Sequence, residues 1–389
     1  MKKIAMVVLS SFPLDVRVRR EAEAHIEAGN HVDVLCRTSR GEATAEVVRN
    51  INVYRLKLKR KRAGKITYLL EYFYFFSWAF VKLTYLHFKK KYDVIHVHNM
   101  PNFIVFTSLI PKIFGAKVIL DLHDPMPELF ASMFSLYDDS PVVRVLKWLE
   151  AKAMRYADMN ITPNIAFRNL FISRGCPSEK ISIVMNSPDE NIFKANGANG
   201  KVREDNNFVI MYHGAIVKRQ GPDILMEAVS QICNKIPNLK VLVYGEGKFI
   251  DVVKDKIKEL NLSEIVELKG LVIVDKIAEA IKGIDLGVIP NRINSFTQIN
   301  FPVRTFEYLV MNKPVIVPKT KGIVDYFSED SIFYFKPGDA NDLAQTILRV
   351  YENPSSTKSV LNKSVEVFNN YRWDYQKKHL IELTAKLYQ

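Results

Sequence analysis

The sequence predicts an α/β protein built from two parallel-sheet halves, and three observations carry that reading. Short apolar runs such as Ile4 to Leu9, "VIHVH", "VILDL" and "VIVP" show no polar alternation, which suits parallel strands buried on both faces. These runs alternate with helical stretches, which implies right-handed βαβ crossovers. The pattern also starts twice. At 389 residues the chain is too long for a single core.

Taken in order, Ile4 to Leu9 is the first strand, Val16 to Ala28 a helix ended by Gly29, and Val32 to Cys36 the second strand. "YDVIHVH" and "AKVILDLHD" are strands separated by the helical "PNFIVFTSLIPKIFG", and "DMNITP" and "KISIVMN" follow. The second half opens with "NFVIMYHG", a helix from Pro222 to Lys235 and "LKVLVYGEG". It continues through "EIVELKG", "IDLGVIP", "KPVIVP" and "SIFYF". The polar, Asn- and Gly-rich "NIFKANGANGKVREDNN" reads as the linker. Expected domains are 1–190 with a final amphipathic helix over 372–389, and 205–371. No repeat at solenoid periods is present.

Composition is that of a globular protein, 48% hydrophobic and 25% charged. A net charge of +13 points to anionic partners: nucleotides, nucleic acid or a membrane surface. The three cysteines, Cys36, Cys176 and Cys233, form neither a zinc spacing nor a disulfide framework, so a reducing compartment fits. The first apolar run is too short for a signal peptide, and a cytoplasmic location is expected.

Ligands of open parallel sheets bind beyond the carboxyl ends of the strands, so the segments that follow each strand hold the candidate sites. After the first strand, Asp15, Arg17, Arg19 and Arg20 stand at a helix start that favours anions. Helix capping by Asp15 with solvated arginines fits equally. In "DLHDPMPE", His123 and Asp124 sit where the chain leaves the sheet, suited to hydrogen bonding or proton transfer. His96 and His98 share this position on the neighbouring strand, with packing as the other reading of His96. In the second half, Lys218 and Arg219 precede Gly221 and a helix, a place to neutralise a diphosphate. The Gly245-Glu246 turn lacks a full phosphate loop.

"FPVRTFEYLVMNKPVIVP" is the most informative stretch. Asn300 is the expected cap and Pro302 the first turn, with Val303, Phe306 and Val310 on an apolar face. Free N–H groups at Ile299 to Phe301 would meet phosphate. Arg304 and Glu307, three residues apart, share another face. Glu307 has two acceptor oxygens for the hydroxyls of a ribose. A plain surface Arg–Glu pair is the alternative.

These blocks, together with "FPLDVRVRREAEAHIEAGNHVDVL", "YDVIHVHNMP" and "VMNSPDENIF", resemble the retaining glycosyltransferases of the GT4 family over essentially the whole chain. The resemblance implies a GT-B fold of two Rossmann-like domains facing across a cleft, with the final helix crossing back to the first. It implies a nucleotide-sugar donor in the second domain and an acceptor in the first. Glu307 would hold the donor ribose, Lys218 and Arg219 the diphosphate, and His123 would lie near the transferred sugar. Arg304, Gly214, Gly245, Glu246, Asn300 and Phe301 fall on the donor side, and Asp15, Arg17 and His98 on the acceptor side. Neither a cofactor nor a metal is implied. The chain departs from the family at Pro13-Leu14-Asp15 in place of a Gly-Gly turn, and at Ile299 in place of a carboxylate. It departs again at Gly214-Ala215, where an arginine often stands. A nucleotide-sugar epimerase or hydrolase of the same fold, and a silent polyanion-binding scaffold, are the rival readings. UDP- and GDP-sugars both fit, and no nucleic-acid motif is present.

The segment over 57–91 is aromatic-rich with basic flanks. Its apolar runs are too short to span a bilayer. Either a fully buried core helix or an interfacial membrane helix fits. The second would place the protein on the inner face of the cell membrane. It would also suggest a lipid-linked acceptor, as in cell-surface polysaccharide synthesis.

Overall fold

The computed structural model describes residues 1–38, 41–58, 64–134, 136–194 and 206–388. Most of the expected linker, 195–205, and residues 59–63 of the basic aromatic segment lie outside that range. The chain forms two compact units, Met1–Met185 with Gln376–Gln389, and Asn186–Tyr375.

Among the described residues the first unit holds eight strands: β1 (Lys3–Ser11), β2 (His31–Arg37), β3 (Ala45–Val48), β4 (Ile51–Leu56), β5 (Val94–His98), β6 (Lys117–Asp121), β7 (Met159–Thr162) and β8 (Ile181–Ile183). Their order is β3-β4-β2-β1-β5-β6-β7-β8. Every pairing is parallel except β3 with β4. The strands at the centre are apolar because helices cover both faces: Ile4, Met6, Val34, Val94 and Ile119 are fully buried. The β3–β4 hairpin is an addition to the sequence reading. Its two-residue turn puts Arg49 and Asn50 at φ 52° and 64°. The first helix, Val16–Glu27, packs Val18 and Ala22 into this core.

The second unit holds β9 (Phe208–His213), β10 (Leu239–Tyr244), β11 (Val266–Gly270), β12 (Leu286–Val288), β13 (Val315–Pro318) and β14 (Phe333–Phe335). They pair in the order β11-β10-β9-β12-β13-β14, all parallel. Strand order reverses beside β9, which makes its carboxyl end a topological switch point.

Helix Trp373–Lys386 belongs to the first unit from Gln376 onward. Gln376 Oε1 accepts the Met185 N–H at 2.8 Å. Leu380 and Leu383 enter the same core as Ile4 and Met6, each burial contributing about 1.5–3 kcal/mol.

Helix Gly64–Lys90 is not fully buried, which corrects one of the two sequence readings. Phe75, Ala79, Leu83 and Leu86 face the core, while Leu70, Phe73, Tyr74, Val81, Tyr85 and Phe88 are exposed at helical spacing. No described helix is long and apolar enough to cross a membrane.

Candidate functional site

Each unit presents its candidate residues at the carboxyl ends of its strands. In the first unit a cavity of about 260 Å³ opens there. Asp15, Arg17, Asn99, His123 and Asp124 line it, so the structure brings together four of the sequence-predicted residues. Asp15 precedes helix Val16–Glu27 in extended conformation, yet its side chain makes no capping bond to the helix. Its capping role is therefore not realised. Burial opposes its charge, but Arg17, His123, a hydrogen bond from Ser10 and His98 together outweigh burial and lower its pKa.

His123 follows β6, where its backbone N–H donates to Asn99 Oδ1 at 2.9 Å. The Asn99 amide donates in turn to the Asp124 carbonyl at 2.8 Å, tying the β5 and β6 ends together. His123 Nε2 lies 2.7 Å from Asp121 Oδ2. His98, fully buried, sits beneath the cavity rather than in its wall, with Nδ1 3.1 Å from the same oxygen. Burial alone would raise the Asp121 carboxyl. The His123 and His98 imidazoles outweigh it and hold Asp121 well below the usual range.

Two residues that sequence reasoning missed complete this layer. Glu21 and His25, four apart on helix Val16–Glu27, are both buried. Burial and the neighbouring Asp121 carboxylate push Glu21 well above its usual value. Burial, with His98 nearby, lowers His25 to about 4. His96 is also lowered well below its usual value by burial, so it belongs to the interior, as one sequence reading held. The i,i+4 spacing in "REAEAHIE" was the available signal.

In the second unit, β9 and β10 are followed directly by Gly214 and Gly245, at φ 133° and 134°. A Cβ on Gly245 would lie 1.9 Å from the Gly214 carbonyl oxygen, so the two loops meet backbone to backbone. Glu246 is exposed, and its carbonyl accepts the Ile216 N–H at 2.9 Å. Lys218 is exposed in the single turn Lys218–Gln220, and Arg219 is half-buried. Arg292, which the sequence did not single out, braces that turn. It pairs with both oxygens of Asp223 at 2.6 and 2.7 Å and donates to the Lys218 carbonyl at 3.1 Å.

The stretch from Phe301 to Pro318 differs from its sequence reading in three ways. The helix starts at Arg304, not after an Asn300 cap, and runs to Val310. The N–H groups of Ile299 and Asn300 both donate to the Phe296 carbonyl, so they do not await a ligand. Phe301 is buried, its ring packed edge-on and tilted against Tyr326 and Phe306. Arg304 also does not share a surface face with Glu307. Its guanidinium turns inward to the His213 carbonyl, Gln220 Oε1 and Asn291 Oδ1, over the Tyr212 ring. Room for this exists because position 214 has no side chain: a Cβ there would stand 2.8 Å from Arg304 Nη1.

Glu307, partly exposed, stands with Oε2 3.5 Å from His213 Nε2. Burial, and the Arg304 charge, hold His213 well below its usual pKa, so this contact is carboxylate to neutral imidazole. His213 closes β9 as His123 follows β6. A histidine at a strand's carboxyl end was the signal that the sequence offered for it.

The profile "Glycosyltransferase Family 4" matches residues 14–191, and "Glycosyl transferases group 1" matches 194–366. Over 164 residues, 42% of this chain, the sequence is 21% identical to 2-deoxystreptamine N-acetyl-D-glucosaminyltransferase of Niallia circulans. The match spans 41% of that protein's length. Sucrose-phosphate synthase from Thermosynechococcus elongatus superposes with a TM-score of 0.79 at 18% identity, covering 100% of this chain and 99% of its own. HepE from Anabaena in complex with UDP-glucose superposes at 0.74 and 18% identity, covering 99% and 100%. Two adjoining profile matches and whole-chain superposition agree with the paired Rossmann-like sheets: the fold is GT-B, and the chain belongs to the GT4-type glycosyltransferases.

Proposed function

We propose that the protein transfers a hexose from a nucleotide sugar to a hydroxyl of a glycan or lipid-linked acceptor, with retention and without a metal at the diphosphate. The observation that supports this most is Glu307. It is a carboxylate at the switch-point end of the second sheet, beside the close-packed Gly214 and Gly245 and in the same unit as Lys218 and Arg219. Glu307 accepts the ribose hydroxyls. The bond from the sugar's anomeric carbon to the diphosphate breaks, and Lys218 and Arg219 offset the charge left on the leaving group. The acceptor oxygen bonds to the same face of that carbon, and its proton passes to the departing phosphate. His123 and Asp124, in the first-unit cavity with Asp15 and Arg17, position the sugar and the acceptor.

The acceptor side operates at the inner face of the cell membrane, in cell-surface polysaccharide synthesis. The exposed stripe of helix Gly64–Lys90 supports this. It continues through an edge-on contact of Phe88 with Phe114 onto exposed Ile113, and Lys82 and Lys89 flank it over the Tyr85 ring.

Thermal stability measured against UDP, GDP, ADP and dTDP tests the donor site. One nucleotide is expected to raise Tm, and Glu307→Ala to abolish the rise while leaving the unliganded Tm nearly unchanged. An undiminished rise in that variant would refute the ribose assignment. Sedimentation with anionic against neutral vesicles tests the membrane face, and a Phe73→Ser/Val81→Ser/Phe88→Ser variant is expected to stay in the supernatant.

A further inference from the structure

Beneath the first-unit cavity, four side chains converge as ligands do around a metal ion. Their atoms are Glu21 Oε2 on helix Val16–Glu27, His96 Nε2 and His98 Nδ1 on β5, and Asp121 Oδ2 at the end of β6. All lie within 4.8 Å of one another. The four residues are 7%, 0%, 0% and 4% exposed. His98 Nδ1 is 3.1 Å from Asp121 Oδ2, and His96 Nε2 is 3.5 Å from Glu21 Oε2. The crossed pairs, His96 with Asp121 and His98 with Glu21, are each 3.9 Å apart. A tetrahedral ion with bonds of about 2.0–2.1 Å has ligand–ligand edges of roughly 3.3–3.4 Å. The widest separation, 4.8 Å, exceeds that edge by about 1.4 Å, so side-chain rotation would be needed to close the four atoms around one ion.

A separate observation points to a ligand. His96 Nε2, fully buried, has no hydrogen-bond partner among the described residues, and Glu21 Oε2 lies 3.5 Å from it, while the Glu21 carboxyl also shares a hydrogen bond with Asp121. An orphaned polar atom in a dry interior is costly, and one dication would satisfy it. The charge also balances once the ion displaces the proton that Glu21 holds beside Asp121, since two carboxylates and two neutral imidazoles then meet a divalent ion. His96 and His98, two apart on a central strand, project from one face. Their near-parallel rings, 4.4 Å between centroids, would turn to aim both nitrogens at one ion. Two imidazole nitrogens and two carboxylate oxygens in a four-coordinate cage suit zinc. Magnesium and calcium instead take six or more oxygens.

We propose that Glu21, His96, His98 and Asp121 bind one zinc ion in the interior of the first unit. The ion fixes helix Val16–Glu27 to β5 and β6. It also sets the orientation of Asp121, whose Oδ2 receives His123 Nε2 at 2.7 Å, so that His123 becomes its outer neighbour. The site touches His123 through Asp121, but whether it holds an ion is tested without reference to sugar transfer.

The test uses the full chain, purified without a histidine tag, exposed to zinc, desalted and assayed by elemental mass spectrometry. About one zinc per folded chain is expected. A cobalt(II)-exchanged sample is expected to show tetrahedral d–d absorption with no thiolate charge-transfer band. Glu21→Gln/His98→Asn is expected to lose the ion while keeping its far-ultraviolet circular dichroism. If that variant does not fold, an anomalous difference map of the wild type at the zinc edge replaces it, with the peak expected among these four atoms. Less than about a tenth of a zinc per folded wild-type chain, a peak elsewhere, or full retention by the folded variant would overturn the proposal.

Discussion

At the strand ends of the first unit, six ionisable side chains lie in the interior: Glu21, His25, His96, His98, Asp121 and His123. At those of the second unit, Gly214 and Gly245 press backbone against backbone, and Arg304 is bonded inward. The first arrangement depends on which protons and charges are present. The second depends on the absence of side chains, and titration hardly touches it. Substitutions should therefore act through volume in the second unit and through charge in the first.

The largest effect should follow Gly245→Ala. The added carbon would meet the Gly214 carbonyl at 1.9 Å, from a positive φ that disfavours any side chain. A loss of about 3 kcal/mol or more is expected in urea unfolding. Gly29→Ala, also at positive φ but with nothing within 4 Å of the new carbon, should cost only about 1 kcal/mol. Equal costs would break the volume argument.

Next comes Glu150 in the first unit, buried with Arg174 and the Asn102 amide as partners. Burial, only partly offset by Arg174, raises its carboxyl to about 7. The unfolded chain releases that proton near the ordinary 4.5, so its contribution is complete below that value and is lost as pH rises through about 7. The fall amounts to at most about 3 kcal/mol, and Glu150→Gln should flatten it. Denaturation midpoints at several pH values would decide, and an unchanged pH slope would remove Glu150 from the comparison.

Arg304→Gln should cost about 2–3 kcal/mol, because the His213 carbonyl and the Gln220 and Asn291 side chains lose a common donor. A surface Arg–Glu pair would have cost only tenths, so the same unfolding experiment separates the two pictures.

The smallest effect is chemical. Burial pushes the thiols of Cys36 and Cys176 up to about 11, whereas Cys233 is half-buried. Iodoacetamide at about pH 8 should modify Cys233 at least roughly tenfold faster than the other two, and all three should react alike in denaturant. Fast modification of Cys36 in the native protein would contradict its burial.

Much of the fold was legible because the strands are continuous β-branched runs, a pattern set by burial on both faces. The β3–β4 hairpin was not. Ala45–Val48 is an exposed edge strand, and its left-handed pair is Arg49-Asn50 rather than a glycine turn. At the candidate sites, position along the chain carried far. His123 follows β6, and Glu307, on helix Arg304–Val310, lies against His213 at the end of β9, the ends of parallel strands where ligands generally bind. What sequence could not supply was depth. Arg304 reads as solvated until Gly214 is seen to leave space beneath it, and Glu21 and His25 read as an ordinary helical pair until β5 is laid against them. Both depend on contacts between residues far apart in sequence, about which local periodicity is silent.

The membership of Gln376–Gln389 in the first unit has a consequence for the order in which the molecule is made. A ribosome finishes Met1–Met185 early, but that stretch then lacks Leu380 and Leu383 from its core and the Gln376 acceptor for Met185. The unit encoded between them, Asn186–Tyr375, is complete in one uninterrupted run and can close first. The nascent amino-terminal half therefore has part of its core open until helix Trp373–Lys386 leaves the exit tunnel.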